Sequence, residues 1–275
     1  MTGDPVFPRG SSLPTQSPLF WVQQKDRYLR QLLIRDIESE TGRKLVVYFA
    51  NRYVENSDIN IGDIAYMQEL LGDVAKAPID LFLNTSGGQT DATEAIVSLL
   101  QSTSDDIRVI VPHSAKSNGT MICLTANEII MGPPSELGPI DPSIGNTPAS
   151  ILAEPQVATS NFPMHRLALY AISQSRRLAT ELLIKGMMKG RPPEEIEDTV
   201  QKLATKEKFF SHGSVIDHIE AAGLGLNVNY LPEDNELWKR VWLLYCMYSH
   251  DIQSMGTVKI FEGCARSISV QPAQN

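Results

Sequence analysis

The chain has 275 residues, of which 42% are hydrophobic and 20% charged, and its formal net charge is −8. This composition is typical of a globular protein, and the acidic balance argues against nucleic acid as a partner, because phosphate binding needs a basic surface. The three cysteines lie far apart, and neither an HExxH string nor a His/Cys cluster occurs, so we expect no metal and no other cofactor. Sparse cysteines favour a reducing cytosol and hence a cytoplasmic protein.

The start of the chain is rich in Pro, Gly and Ser, and it has neither the charged start nor the apolar stretch of a signal peptide. We expect residues 1–22 to form a disordered arm, 23–265 a single domain and 266–275 a flexible tail. No run of about 18 apolar residues occurs, so we expect no membrane span.

Hydrophobic periodicity predicts alternating helices and strands in the first half of the chain. In chain order these are a helix over 25–42, a strand over 45–50, a helix over 61–74, a strand over 79–84, a helix over 92–100, a strand over 107–112, a short helix ending near 126 and a strand over 128–131. This order predicts an α/β fold with a mainly parallel sheet and flanking helices. After a loop rich in Pro and Gly, further helices are predicted over 164–189, 192–204 and 235–250, with an edge strand over 257–261.

A glycine pair follows the predicted strand over 79–84. Gly87 and Gly88 let the backbone turn tightly, and they leave N–H groups free to bind a substrate oxygen. The alternative is a simple turn before a helix.

A serine follows the next strand, over 107–112. Ser117 lies at the start of a helix, where the helix dipole is positive and the first N–H groups are unpaired. The alternative is that Ser117 only caps this helix. Ligands bind beyond the carboxyl ends of parallel strands, so Gly88 and the Asn118 N–H could face the same oxygen, as in an oxyanion hole.

Residues of about 26–230 resemble the serine dehydrogenase proteinase family, within the larger group of Clp protease proteolytic subunits and signal peptide peptidases of the A type. The matching strings lie at 26–28, 30–31, 83–88, 111–120, 128–132, 137–142, 211–213 and 223–226. The resemblance implies a ClpP/crotonase-like fold. It also implies that Ser117 is the nucleophile and that Gly87, Gly88 and the Asn118 N–H form the oxyanion hole.

The group that would take the serine proton is less evident, and a serine hydroxyl is a poor nucleophile without one. Signal peptide peptidases of this group use a lysine, and Clp subunits use a histidine and an aspartate. This chain has no lysine between Lys116 and Lys185, and the stretch 138–142 has no histidine, although Asp141 could orient one. The candidates that remain, of which we favour the first two, are His165, His212, His113 and Lys185.

We therefore expect a serine hydrolase, and more specifically a peptidase that forms an acyl-enzyme at Ser117 and acts on a peptide or protein substrate. The alternative is a catalytically degenerate scaffold or binding protein that kept the fold and lost the base. A third alternative is acyl-CoA chemistry, because the crotonase fold holds a thioester enolate with a similar pair of N–H groups. Relatives of this fold usually assemble into rings, so we also expect a homo-oligomer.

Overall fold

The computed structural model describes residues 17–72, 74–145, 147–206 and 208–272. The helices within these ranges are α1 (Pro18–Gln23), α2 (Lys25–Thr41), α3 (Asp63–Leu71), α4 (Thr90–Thr103), α5 (Asn118–Cys123), α6 (Ala149–Leu152), α7 (Pro155–Ser160), α8 (Phe162–Lys185), α9 (Pro193–Ala204), α10 (His218–Gly223) and α11 (Glu236–Ser254). The strands are β1 (Lys44–Ala50), β2 (Ile79–Asn84), β3 (Ile107–Val111), β4 (Ser114–Ala115), β5 (Glu128–Met131), β6 (Glu136–Leu137), β7 (Ser143–Ile144), β8 (Thr147–Pro148), β9 (Val228–Tyr230), β10 (Lys259–Glu262) and β11 (Ser267–Val270).

The largest sheet has seven strands in the order β11-β10-β1-β2-β3-β5-β9. The five strands from β1 to β9 are parallel to one another, whereas β10 and β11 add antiparallel pairs at one side. The predicted α/β class, with a mainly parallel sheet and flanking helices, is confirmed. Parallel strands of this kind bring the turns that follow β2 and β3 to the same edge of the sheet.

Four details differ from the sequence predictions. The strand predicted at an edge over 257–261 lies inside the sheet, because β11 pairs with its outer side. The prediction of a flexible tail from residue 266 is therefore wrong for Ser267–Val270. The predicted arm over 1–22 lies mostly outside the described residues, and its last part belongs to helix α1. The sequence predictions miss β9, because a strand of three residues is too short to show a hydrophobic pattern and is decided by its pairing with β5.

Apolar residues fill both faces of the sheet. Alternate side chains of β1 point to opposite sides: Val46 and Tyr48 pack with helices α3, α4, α8 and α9, while Val47 and Phe49 pack with α2 and α11. Near-continuous hydrophobic strands are typical of a sheet covered on both faces. Within the described ranges, none of the helices has both the length and the apolar character that a bilayer crossing requires.

A buried ion pair fixes the segment that follows β1. Lys259 of β10 bonds both carboxylate oxygens of Asp63, at 2.8 and 2.9 Å, and also the backbone oxygen of Asp58, at 2.6 Å. Tyr48 donates a further hydrogen bond of 2.7 Å to Asp63. Because a buried charge that loses its partner costs about 3–5 kcal/mol, these contacts hold the segment 58–63 in place. This segment reaches the cleft described next.

Candidate active site

The glycine turn, residues 84–88, packs directly against the segment 58–60. Gly88 forms a parallel bridge with Ile59, whose N–H donates to Gly87 O at 2.8 Å. The φ of Gly88 is 154°, and a Cβ added there would lie 2.3 Å from Ile59 N. No side chain fits this position, so glycine is required by close backbone approach. The alternative of a simple turn does not account for this contact.

The serine turn, residues 114–119, touches the glycine turn. Thr85 and Ala115 form a parallel bridge, and a Cβ added to Gly87 would lie 2.8 Å from the Cβ of Ser117. Ser117 itself has φ 52° and ψ −119°, a conformation that L-residues rarely adopt and that costs about 1–3 kcal/mol. Strain of this kind is typical of functional turns.

The hydroxyl of Ser117 is not used to cap helix α5. Ser117 occupies the N-cap position, but its side chain makes no capping hydrogen bond, and the residue is half-buried. The capping alternative is therefore wrong. A hydroxyl at the positive end of a helix, free of a structural partner, is available for chemistry.

Two backbone N–H groups near this hydroxyl are free. Among the described residues, no acceptor binds the N–H of Gly88 or of Asn118. The peptide that carries the Gly88 N–H has its oxygen, Gly87 O, bonded to Ile59, so in a trans peptide the N–H points away from Ile59. Two fixed donors beside a serine form the arrangement that stabilises an oxyanion.

The predicted role of Gly87 as an oxyanion donor is wrong. Its N–H donates to the Thr85 hydroxyl at 3.1 Å and is therefore occupied. Gly87 instead lets the two turns approach each other, as the added-Cβ distance shows. The side chain of Asn118 ties the same turns together, since its Nδ2 donates to Gly88 O at 2.5 Å and to the Thr90 hydroxyl at 3.3 Å.

The second half of the site consists of His212, Asp141 and Lys206. His212 Nδ1 lies 2.8 Å from Asp141 Oδ1, and Lys206 Nζ lies 2.7 Å from Asp141 Oδ2. Burial raises the pKa of Asp141, but the bonds from His212 and Lys206 outweigh it and leave the pKa below its ordinary value. An ionised carboxylate only accepts hydrogen bonds, so Nδ1 carries a proton, and an imidazole with a single proton then keeps its lone pair on Nε2. Lys206 gave no signal in the sequence, because it lies outside the matching strings.

Ser117, Gly88, Asn118 and His212 line one cleft of about 770 Å³. The histidine loop, residues 208–216, reaches this cleft through an antiparallel bridge between Leu137 and Ile216. His212 therefore lines the same cleft as the nucleophile candidate, and Asp141 bonds the Nδ1 side of its imidazole. Catalysis by a serine requires a nucleophile, a base and a carboxylate that orients the base, and Ser117, His212 and Asp141 are groups of these three kinds.

The other candidates for the base do not line this cleft. His165 bonds the backbone oxygen of Ala153 at 3.0 Å, so the structure does not bring this candidate base to the cleft. His113 stacks on Tyr245 and contacts Arg52 at 3.1 Å, and burial is the main cause that lowers its pKa.

Lysines near the site are also engaged elsewhere. Lys116 points away from the cleft: its Nζ donates to Ser214 O at 2.9 Å and lies 3.1 Å from Glu136 Oε2. It thereby connects the serine turn to the histidine loop. Lys185 ends helix α8, is exposed, and does not line the cleft. Among the described residues, no three His, Cys, Asp or Glu gather into a group that could hold a metal ion.

Fold and site together define an α/β protein in which a serine, two free N–H groups and a histidine share a cleft at the carboxyl edge of a parallel sheet. Over residues 65–271 the chain matches the family described as ClpP-like SDH-type serine proteinase, and it belongs to this family. The predicted resemblance and the predicted fold class are thereby confirmed.

Two relatives come from Methanocaldococcus jannaschii. Uncharacterized protein MJ0137 is 32% identical over 184 residues, covering 66% of this chain and 62% of the relative. Uncharacterized protein MJ1495 is 30% identical over 158 residues, covering 55% of this chain and 53% of the relative. The chain thus spans less than two thirds of the length of these relatives.

Solved structures of proteases show a more distant likeness. ClpP1 from Listeria monocytogenes is 18% identical, with a TM-score of 0.46, covering 76% of this chain and 99% of that one. A mutant of the 1510-N membrane-bound stomatin-specific protease is 23% identical, with a TM-score of 0.42, covering 66% and 79%. At such identities a likeness does not identify an activity.

Proposed function

We propose that this protein is a serine peptidase that acts through an acyl-enzyme at Ser117. The observation that carries the proposal is the cleft shared by Ser117, the free N–H groups of Gly88 and Asn118, and a histidine paired with a buried aspartate. Membership of a serine proteinase family supports it. The substrate is a peptide or protein that enters this cleft.

The proposed reaction has two halves, formation and hydrolysis of the acyl-enzyme, and both use the same groups. Ser117 Oγ attacks the scissile carbonyl while His212 Nε2 takes the hydroxyl proton, and the N–H groups of Gly88 and Asn118 bind the negative oxygen. The imidazolium then gives its proton to the leaving amine, and the C–N bond breaks. Water attacks the acyl-enzyme by the same route and frees Ser117. Asp141 stabilises the imidazolium and keeps the proton on Nδ1 throughout.

The rival functions lose their support in this cleft. The degenerate-scaffold alternative rested on the lack of a base, and His212 fills that role in the proposal. Acyl-CoA chemistry needs cations for the CoA phosphates, and among the described residues that line the cleft there is no lysine or arginine. A peptidase therefore accounts for more of the site.

The experiment compares Ser117→Ala with Ser173→Ala. Ser173 is an exposed serine of α8 outside the cleft, so its loss is a matched control. We expect the wild type and Ser173→Ala to react with a fluorophosphonate at Ser117 and to hydrolyse a denatured protein substrate. Ser117→Ala should lose both activities. Equal labelling and hydrolysis in all three proteins would refute the proposal.

The proposal also includes a homo-oligomer. Large apolar side chains are exposed on the α6–α8 region, including Ile151, Phe162 and Tyr170, and such surface is costly in water. Light scattering on the purified chain should give a mass that is a multiple of 30.4 kDa. A monomer at micromolar concentration would contradict this part.

A further inference from the structure

The cleft around Ser117 carries one fixed charge. Among the described residues that line it, Asp58 is the sole Asp, Glu, Lys or Arg, and the other polar groups are neutral amides, hydroxyls and the His212 imidazole. Asp58 is exposed, and none of the described residues donates a hydrogen bond to its carboxylate. An unpaired negative charge at the wall of a cleft attracts cations and repels anions.

Backbone contacts fix the position of this charge relative to the oxyanion donors. The next residue, Ile59, donates to Gly87 O and accepts from Gln89 N, both at 2.8 Å. Ile59 is fully buried, and successive side chains of an extended segment point to opposite sides, so Asp58 faces away from the core. The carboxylate is therefore held by the same segment that packs against Gly88.

The lysine that bonds the Asp58 backbone does not neutralise this carboxylate. Lys259 bonds the backbone oxygen of Asp58, but its charge is paired with both oxygens of Asp63. Lys259 thus holds the Asp58 backbone while its charge is compensated elsewhere. The charge of the cleft wall stays negative.

We propose that Asp58 is a specificity-determining residue that selects substrates with a lysine or arginine side chain close to the scissile bond. This inference rests on the proposed function, because it names the substrate class of the same site. Asp58 attracts a cationic side chain of the substrate. It repels an acidic side chain, and no lysine or arginine among the described lining residues compensates this repulsion.

The test uses fluorogenic peptides in which one residue is lysine, neutral norleucine or glutamate, placed in turn at each of four positions before the reporter. Each peptide is made with a free and with an acetylated N-terminus. The enzymes are the wild type, Asp58→Asn and the control Asp105→Asn, which removes an exposed charge from the loop before β3, at the opposite edge of the sheet. The kcat/KM for each peptide is measured at low and high salt, and Ser117 labelling by a fluorophosphonate is measured in parallel.

At one position we expect the wild type to prefer lysine over norleucine by roughly fivefold, as for an ion pair at the upper end of the exposed range. Glutamate should be poorer than norleucine, and salt should weaken both effects. Asp58→Asn should lose the preference and Asp105→Asn should keep it. A preference that survives in Asp58→Asn, or one that needs only a free N-terminus, overturns the inference. If Ser117 is labelled but no charge preference is found, the inference about Asp58 is overturned and the proposed function stands. If both labelling and hydrolysis are absent, the proposed function is overturned as well.

Discussion

The serine side of the cleft and its histidine side are assembled differently. On the serine side, the glycine turn and the serine turn directly follow neighbouring parallel strands, and the bridge between Thr85 and Ala115 joins them. On the histidine side, Asp141 and His212 are 71 residues apart in the chain. They meet because the bridge between Leu137 and Ile216 brings their segments together.

The serine side depends on local backbone geometry, whereas the histidine side depends on packing between distant parts of the chain. The nucleophile and its N–H donors need a strained serine and a glycine that no side chain can replace, and both are consequences of local backbone geometry. The base needs only an imidazole at the right place, which depends on packing across the whole domain. We expect changes on the serine side to damage structure and activity together, and changes on the histidine side to damage activity with the fold preserved.

Gly88→Ala should have the largest effect. The added Cβ would lie 2.3 Å from Ile59 N, so the bridge must break, and unfolding free energy should fall by about 3 kcal/mol. Fluorophosphonate labelling should be lost. The control Gly42→Ala also changes a glycine of positive φ, 68°, but has open space around it, so it should keep labelling. If Ser117 is labelled normally in Gly88→Ala, the close approach of Gly88 to Ile59 is not needed for activity.

Asp141→Asn should come next, with its main effect on activity. The amide cannot hold the Nδ1 proton and stabilise the imidazolium as the carboxylate does, so kcat should fall roughly 100-fold or more. The denaturation midpoint at neutral pH should fall only slightly, because Lys206 is partly exposed and can be solvated. An undiminished kcat would remove Asp141 from the site.

Lys116→Met tests the link between the two sides. Its ammonium joins the residue before the nucleophile to Ser214 O, two residues beyond His212. Without this bond the histidine loop should be less well placed, and kcat should fall by about tenfold. The control Lys185→Met removes an exposed lysine outside the cleft and should leave kcat unchanged. Equal kcat values for both variants would show that the serine side and the histidine side keep their relative position without Lys116.

The smallest effect concerns acid stability. The depressed pKa of Asp141 means that its bonds to His212 and Lys206 stabilise the fold above the ordinary aspartate pKa of about 3.9. This contribution is lost as the pH falls through the lower pKa of the native state. Urea titrations should therefore show a wild-type advantage over Asp141→Asn at pH 6 that shrinks below about pH 4. An advantage that grows on acidification would contradict the assignment.

The two sides also differ in what could be predicted from the sequence. Ser117 and Gly88 were predictable because each lies in a short motif directly after a strand, whose position in the sheet follows from β-α-β order. The choice between His165 and His212 as the base was not predictable, because tertiary packing alone decides which helix or loop reaches the cleft. The Gly87 donor was mispredicted because a neighbouring hydroxyl, that of Thr85, captures the N–H. Side-chain capture of this kind leaves no trace in a motif.

The most direct measurement compares labelling rates of Ser117 by a fluorophosphonate, read by mass spectrometry of the intact chain, in the wild type, His212→Gln and His165→Gln. Both histidines are partly buried, and each makes one hydrogen bond to the part of the chain that the structure describes, but of the two only His212 lines the cleft. We predict that His212→Gln slows labelling by roughly 100-fold or more, while His165→Gln stays within about twofold of the wild type. Labelling of His212→Gln at the wild-type rate would contradict the assignment of His212 as the base.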